Sequence, residues 1–105
     1  MPRVILLEPC KLDVTQAAKW GKLKYIFGQG ERRSSIWSED FKHELVSALK
    51  QMDYKPLEDS LIIAGHMVPI AMLVGHLCAT YGEIRTLLFN TVDRDYVLRI
   101  LGEKQ

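Results

Sequence analysis

Residues 60–82 of the chain have the sequence SLIIAGHMVPIAMLVGHLCATYG, and they decide the fold. Ser60–Gly65 is a short apolar run bounded by a turn residue, which predicts a strand that is buried on both faces. Residues 67–81 predict a helix, because Pro69 lies in its first turn and Gly82 lies just past its end. A buried strand that leads directly into a helix is typical of a unit whose next strand runs parallel to the first.

The helix over residues 67–81 is apolar nearly all round, so we expect it to be buried rather than to lie on the surface. Ala71, Gly75 and Ala79 recur every four residues and form a stripe of small side chains. We expect this stripe to allow close packing on a sheet, and a contact with a second subunit is the alternative.

The other predicted elements alternate between strand and helix. They are strands at Arg3–Glu8, Leu23–Phe27, Ile84–Asn90 and Tyr96–Leu101, a brief helix at Asp13–Trp20 that stops at Gly21, and an amphipathic helix from Ser38 to about Asp53. The short connection through Asp93–Asp95 predicts a hairpin between the last two strands. Right-handed crossovers then predict an α/β fold, a small Rossmann-like three-layer sandwich. Its five-stranded sheet is mostly parallel, with strand order 2-1-3-4-5 and an antiparallel C-terminal edge hairpin.

Composition limits the class of protein. The 105 residues are 48% hydrophobic and carry 14 Lys+Arg against 13 Asp+Glu, which suits a single α/β domain over residues 1–105 and excludes disorder. No apolar run approaches the roughly 18 residues that a membrane helix needs. The net charge of +1 argues against a general nucleic-acid coat protein, but residues 1–33 hold seven basic and three acidic side chains, a net +4, so the remainder carries −3.

The first strand and the two cysteines predict a cytoplasmic location. The apolar run Val4–Leu7 ends at Glu8, which is too short for a secretory signal. Cys10 and Cys78 form no C-x-x-C pair and no disulfide framework, so a reducing compartment is expected. We expect Cys78 to be a buried, inert thiol and Cys10 to be exposed.

A ligand site is expected beyond the carboxyl ends of the strands, at the switch point between the first and third strands. Three predicted loops meet there, and their candidate ligand-binding residues are Lys11, Gly28, Gly30, Arg32, Arg33, Ser34, Gly65 and His66. Glycines allow a ligand to approach the backbone closely, and the amides that open a helix attract anions. The pattern predicts binding of a small anionic ligand that carries phosphate, with a nucleotide as the chief example.

His66 supports two interpretations, because a titratable ring at a strand-to-helix turn can serve structure or function. If the protein is an enzyme, the alternative is a metal-independent phosphodiesterase that acts on a cyclic oligonucleotide, with His66 assisting proton transfer as the catalytic residue. Whether there is catalysis stays open. No cofactor and no metal are expected, since Gly28-x-Gly30 lacks the third glycine of a dinucleotide fingerprint and the histidines lack metal-ligand spacing.

Macromolecular partners are the remaining alternatives. Trp20 and Trp37 could stack on bases, but we expect both to anchor the core, so nucleic acid is the less favoured partner. No membrane partner is expected. A protein-interaction domain without a ligand, a homodimer formed through the fifth strand or the small-residue stripe, is the third interpretation.

Two motif sets resemble known families. Val4-Ile5-Leu6-Leu7, Asp13-x-x-x-Ala17-Ala18-x-x-Gly21, Tyr81-Gly82-x-Ile84-x-x-Leu87-Leu88-Phe89 and Arg94-x-Tyr96-Val97-x-Arg99 resemble a family of small uncharacterised α/β proteins of bacteria and their phages or plasmids. That resemblance implies an accessory protein of a phage or mobile element. Gly65-His66-x-x-Pro69-Ile70 is similar to a strand-turn-helix of small CRISPR-associated proteins that bind or cleave cyclic oligoadenylates, which implies that His66 and the nearby arginines face such a ligand.

Overall fold

The fold is built on one five-stranded sheet. The computed structural model describes residues 2–11, 13–28 and 34–104. The strands are β1 (Arg3–Leu6), β2 (Lys22–Tyr25), β3 (Ser60–Ile62), β4 (Glu83–Asn90) and β5 (Asp95–Gly102), and the helices are α1 (Asp40–Gln51), α2 (Met67–Tyr81) and a 3₁₀ helix at Thr15–Trp20. The strand order is β2-β1-β3-β4-β5, with β5 antiparallel to β4 and the other neighbours parallel. The predicted α/β class, strand order and edge hairpin are confirmed.

Helices α1 and α2 cover the same face of the sheet. Phe41, Leu45 and Leu49 of α1 recur every four residues and are buried against this face together with Leu73 and Leu77 of α2. The N-cap of α1 is Glu39, whose side chain makes no capping bond, and the backbone N–H of Asp40 donates to the hydroxyl oxygen of the preceding Ser38 over 3.1 Å.

The opposite face of the sheet is covered by the 3₁₀ helix and its flanking residues. Ala17 packs there with Val4, Leu6 and other strand residues in a second core cluster. The Tyr96 hydroxyl of β5 donates to the Asp13 carbonyl over 3.0 Å, which ties this connection to the far edge of the sheet. The third layer of the predicted sandwich is therefore a single six-residue helix.

The prediction that α2 is buried all round is wrong. Its core-facing side includes Leu73 and Leu77, whereas Ala71, Gly75 and Ala79 are exposed. A Cβ added at Gly75 would meet no described atom within 4 Å, so the stripe of small residues does not serve close packing on the sheet. Because both helices lie on one face of the sheet, the side of each helix that points away from the sheet remains exposed. None of the described helices is long and apolar enough to cross a membrane.

A partly buried ion pair connects β1 to the segment that precedes β3. Arg3 donates to Asp59 from Nε over 3.1 Å and from Nη2 over 2.8 Å, and the Asp59 carboxylate also accepts from the Lys55 backbone N–H over 2.8 Å. Asp59 is 1% exposed. This cluster lies at the amino-terminal edge of the parallel strands, opposite the predicted ligand loops.

Gly102 lies at the point where β5 passes close to the end of α2. Its φ of +94° lies in the region that favours glycine, and a Cβ there would lie 2.0 Å from the carbonyl oxygen of Gly82. Gly82 is the C-cap of α2, so the β5 backbone and the helix end are in direct contact.

Candidate functional site

The carboxyl ends of the parallel strands form the edge at which the sequence predicts a ligand site. Continued pairing leads towards this edge, since the Phe27 N–H donates to the Leu7 carbonyl beyond the ends of β1 and β2. The described members of the predicted site lie in the loops that follow β1, β2 and β3: Lys11, Gly28, Ser34, Gly65 and His66. The other three, Gly30, Arg32 and Arg33, lie outside the described residues.

His66 is the N-cap of α2. Its Nδ1 accepts a hydrogen bond from the Val68 backbone N–H over 3.2 Å, and its carbonyl accepts from Ile70 N–H over 3.3 Å. Since Nδ1 is the acceptor, the neutral ring carries its proton on Nε2 and offers that N–H as a donor. The side chain is exposed, so His66 has a structural role at one nitrogen and an accessible donor at the other.

The first turn of α2 offers an anion fewer amides than a typical helix N-terminus. The Val68 N–H is bonded to His66, Pro69 has no N–H, and the Ile70 N–H is bonded to the His66 carbonyl. Met67 provides the amide of this described turn that has no protein acceptor. The Met67 N–H and the His66 Nε2–H are the donors that this described turn leaves for an anion.

Gly65 allows the turn that presents these donors. Its φ is +101°, a conformation that side chains with a Cβ rarely adopt, and no described atom lies within 4 Å of where a Cβ would be. Glycine is therefore required here by the backbone conformation, and the space beside it is open.

Trp37 lies at this edge, although the sequence interpretation names it only as a possible base-stacking residue and not as part of the small-ligand site. Its side chain is 75% exposed, so the expectation that it anchors the core is wrong. The centroids of the Trp37 and His66 rings lie 6.2 Å apart with an interplanar angle of 84°, an edge-to-face contact. The polar neighbours Ser35 and Ser38 could have indicated this exposure. A tryptophan in a hydrophilic turn is not part of a periodic apolar pattern that would place it in the core.

The turn that carries Trp37 is attached to α1. The Trp37 N–H donates to the Ser35 hydroxyl oxygen over 3.2 Å. The Ser34 N–H donates to the Glu44 carboxylate of α1 over 3.0 Å. These bonds hold the exposed indole against the first turn of α2, and they use the Ser34 amide for structure.

The other tryptophan behaves as predicted. Trp20 is partly buried and packs against the second core cluster, and its indole Nε1 is buried without a hydrogen-bond partner. It also lines a groove of about 680 Å³ together with Pro2, Gly21 and Lys22. Lys19 in the same groove is paired with Asp95, and the groove contains none of the predicted ligand residues.

Metal ligation has no support in the described part of the chain. No group of three or more His, Cys, Asp or Glu side chains there could hold a metal ion. Cys10 and Cys78 are free thiols, exposed and partly buried respectively. The chemistry that the described edge offers is therefore hydrogen-bond donation and aromatic contact.

Comparison with known proteins identifies a phage family. Neither curated proteins nor solved structures gave a match. The comparisons give no support to the resemblance to CRISPR-associated proteins, whereas the resemblance to a phage-associated family is supported. The model of the family described as Phage Pam3 gp32-like protein matches residues 7–100, and the chain therefore belongs to that family.

Proposed function

We propose that this protein binds a small phosphorylated ligand, specifically a nucleotide, at the carboxyl edge of its sheet. The observation that carries the proposal is the exposed Trp37 indole in edge contact with His66, which caps α2. An apolar ring beside hydrogen-bond donors matches a ligand that has both a planar base and an anionic group. The site lies at the switch point of the sheet, where such folds bind ligands.

Trp37 would bind the base by stacking. The perpendicular contact with His66 leaves at least one face of the indole accessible, in keeping with its 75% exposure. Stacking of a base on an aromatic side chain contributes about 1–3 kcal/mol and tolerates different bases. We therefore expect modest discrimination between purines and pyrimidines at this position.

His66 and Met67 would bind the phosphate. The Nε2–H of His66 and the backbone N–H of Met67 belong to consecutive residues, and no acceptor for either is found among the described residues. Lys11 is exposed in the loop after β1, and Arg32 and Arg33 are the predicted cationic residues of the loop after β2. Hydrogen bonds between charged donors and phosphate are roughly twice as strong as neutral ones.

Binding fits His66 better than phosphodiesterase catalysis does. The capping bond occupies the Nδ1 lone pair, so the accessible Nε2 donates a proton rather than accepting one. A general base would need the opposite tautomer. We also propose that this binding takes place in the cytoplasm, a location with which the two free thiols, Cys10 and Cys78, are compatible.

The test is a panel of nucleoside mono-, di- and triphosphates, with nucleosides and inorganic phosphate as controls, measured by calorimetry and by melting temperature. We expect a nucleotide to bind and to raise the melting temperature. Trp37→Ala should weaken binding by at least tenfold, and Trp37→Phe should retain most of it. His66→Asn keeps a capping acceptor but loses the imidazole donor, so its loss of affinity would exceed its loss of stability.

A matched pair of variants tests the cationic loop. Arg32→Ala with Arg33→Ala should weaken nucleotide binding, whereas Lys22→Ala with Lys24→Ala removes the same charge from exposed positions on β2 and should leave it unchanged. No binding by any nucleotide, or equal affinity in wild type and Trp37→Ala, would refute the proposal. Turnover of a cyclic oligoadenylate that is lost in His66→Asn would favour the enzyme instead.

A further inference from the structure

The two edges of the sheet differ in how they are protected. Strand β2 has four residues and presents Lys22 and Lys24 to solvent. Strand β5 has eight residues, contains no proline, and keeps an unbroken register with β4 along its whole length. None of the described strands pairs with its outer side. Long, regular edges of this kind are templates for pairing with another strand.

The hydrogen-bond pattern of the sheet shows which groups of β5 point outwards. The Leu87 carbonyl accepts from the Ile63 N–H on the β3 side, so the even-numbered residues of β4 direct their backbone groups to β5. Their partners are the odd-numbered residues of β5, Arg99 among them. The backbone groups of Tyr96 and Leu98 therefore face the open edge.

Two charged side chains of the same strand cover part of this edge. The Asp95 carboxylate accepts from the Tyr96 N–H over 2.8 Å, and the Arg99 guanidinium donates to the Leu98 carbonyl over 2.9 Å. Both caps lie near or at the protein surface, where a second strand can replace them.

We propose that β5 pairs with β5 of a second copy of this chain, antiparallel, about a twofold axis through Val97. In this register Tyr96 lies opposite Leu98 of the second copy, so their outward N–H and C=O groups bond each other in place of the two caps. Asp95 then lies opposite Arg99 of the second copy, and the displaced charges face each other. Opposite charges at directly paired positions stabilise antiparallel strands.

Neighbouring registers lack this match. An axis through Leu98 sets Arg99 against Val97, so no charge of the second copy lies opposite Arg99. An axis through Arg99 sets the two guanidinium groups against each other, which is destabilising. Within β5 the two charged residues therefore favour the register centred on Val97 over those centred on Leu98 and Arg99, and the dimer would have a continuous ten-stranded sheet.

Light scattering over a concentration series tests the assembly, since one copy has a mass of 12.0 kDa. We expect a concentration-dependent dimer. Arg99→Glu places a like charge opposite Asp95 twice per dimer and should raise the dissociation constant roughly tenfold or more. Lys22→Glu makes the same charge change on the opposite edge strand and should leave the constant unchanged. A monomer up to about millimolar concentration, or equal weakening by both variants, would overturn the proposal.

Cross-linking tests the register. Val97 lies opposite itself in a pair without mutual backbone bonds, where the Cα atoms are about 4.5 Å apart, within disulfide range. Val97→Cys should form a disulfide-linked dimer under mild oxidation, whereas Ile100→Cys, opposite Arg94, should not. Wild type controls for the exposed Cys10, and circular dichroism checks that each variant is folded. Equal cross-linking at Val97 and Ile100 would contradict the proposed register.

Discussion

Replacing Arg3 with methionine should be among the most damaging single changes outside the apolar core. The substitution keeps much of the aliphatic volume but removes two hydrogen bonds to Asp59 and one to the Asp53 carbonyl at 3.0 Å. Asp59 is 1% exposed and, of the three donors described above, would retain the Lys55 N–H at 2.8 Å. Arg3→Met therefore leaves a buried carboxylate without its counter-charge.

The expected cost follows from this geometry. Removing one partner of a buried ion pair costs about 3–5 kcal/mol. The Arg3 side chain is 24% exposed, so water screens part of the interaction and the lower end of the range, about 3 kcal/mol, applies. For a domain of this size the melting temperature should fall by roughly 10–20 °C.

Urea unfolding at pH 7, followed by far-ultraviolet circular dichroism, measures this cost. The matched control is Lys55→Met, which breaks the 3.5 Å contact with Asp53 between two largely exposed side chains and should cost less than about 0.5 kcal/mol. Asp59→Asn should destabilise the wild type but cost little or nothing in the Arg3→Met background, because it neutralises the orphaned charge. A cost below about 1 kcal/mol for Arg3→Met, or the same cost of Asp59→Asn in both backgrounds, would refute the reasoning.

Three further outcomes are expected from single positions. Gly75→Ala should stabilise the protein by about 0.5–1 kcal/mol, because the position is helical and open. Gly102→Ala should destabilise the protein by several times as much, because residue 102 has a positive φ and its Cβ would meet a backbone oxygen. Chemical denaturation measures both changes. Burial raises the pKa of the Tyr54 hydroxyl, so above pH 10 the unfolded chain loses a proton that the folded chain keeps. Tyr54 should then contribute a fall of about 1 kcal/mol in the free energy of unfolding at pH 11, and Tyr54→Phe should reduce the loss by that amount when unfolding is compared at pH 8 and 11, leaving the smaller part due to Tyr96, whose pKa burial also raises. The hydrogen bond from Lys19 lowers the pKa of the Asp95 carboxyl, and in Lys19→Met a nuclear magnetic resonance titration should find that pKa raised towards its ordinary value.

The sheet could be predicted because its evidence is local and repeated. Apolar runs alternate with helical periodicity, and Pro69 and Gly82 mark the ends of α2, which spans the residues that the sequence predicts. The ends of the strands are harder to predict from the sequence than the strands themselves. Strand β3 was expected to reach Gly65 but ends at Ile62, although the Ile63 N–H still bonds the Leu87 carbonyl. Hydrogen bonding between β3 and β4 therefore continues one residue beyond the regular part of β3.

The candidate site was less predictable, because its geometry depends on contacts that are distant in sequence. His66 was correctly expected to lie at the strand-to-helix turn, but only the structure shows that it caps the helix with Nδ1. Trp37 was assigned to the core because large aromatic side chains are usually buried. Its exposure depends on α1 beginning at Asp40 and on the loop ahead of it remaining outside the helix layer. The exposed stripe of α2 was missed for a similar reason, since hydropathy alone does not show which side of an apolar helix faces a sheet.

The hydrogen bond from Tyr96 to Asp13 has a consequence for the order in which the chain can fold during synthesis. It joins groups 83 residues apart, and the cluster that it closes also needs Leu98 from β5. A ribosome that has produced only the first ninety residues has made β1, the 3₁₀ helix and both α-helices, but not β5, which the 3₁₀ helix contacts in addition to β1. The core beneath α1 and α2 can form largely during translation, whereas the opposite core cannot be completed before residues 95–102 supply Tyr96 and Leu98. Until then its apolar side chains are open to chaperones and to other nascent chains.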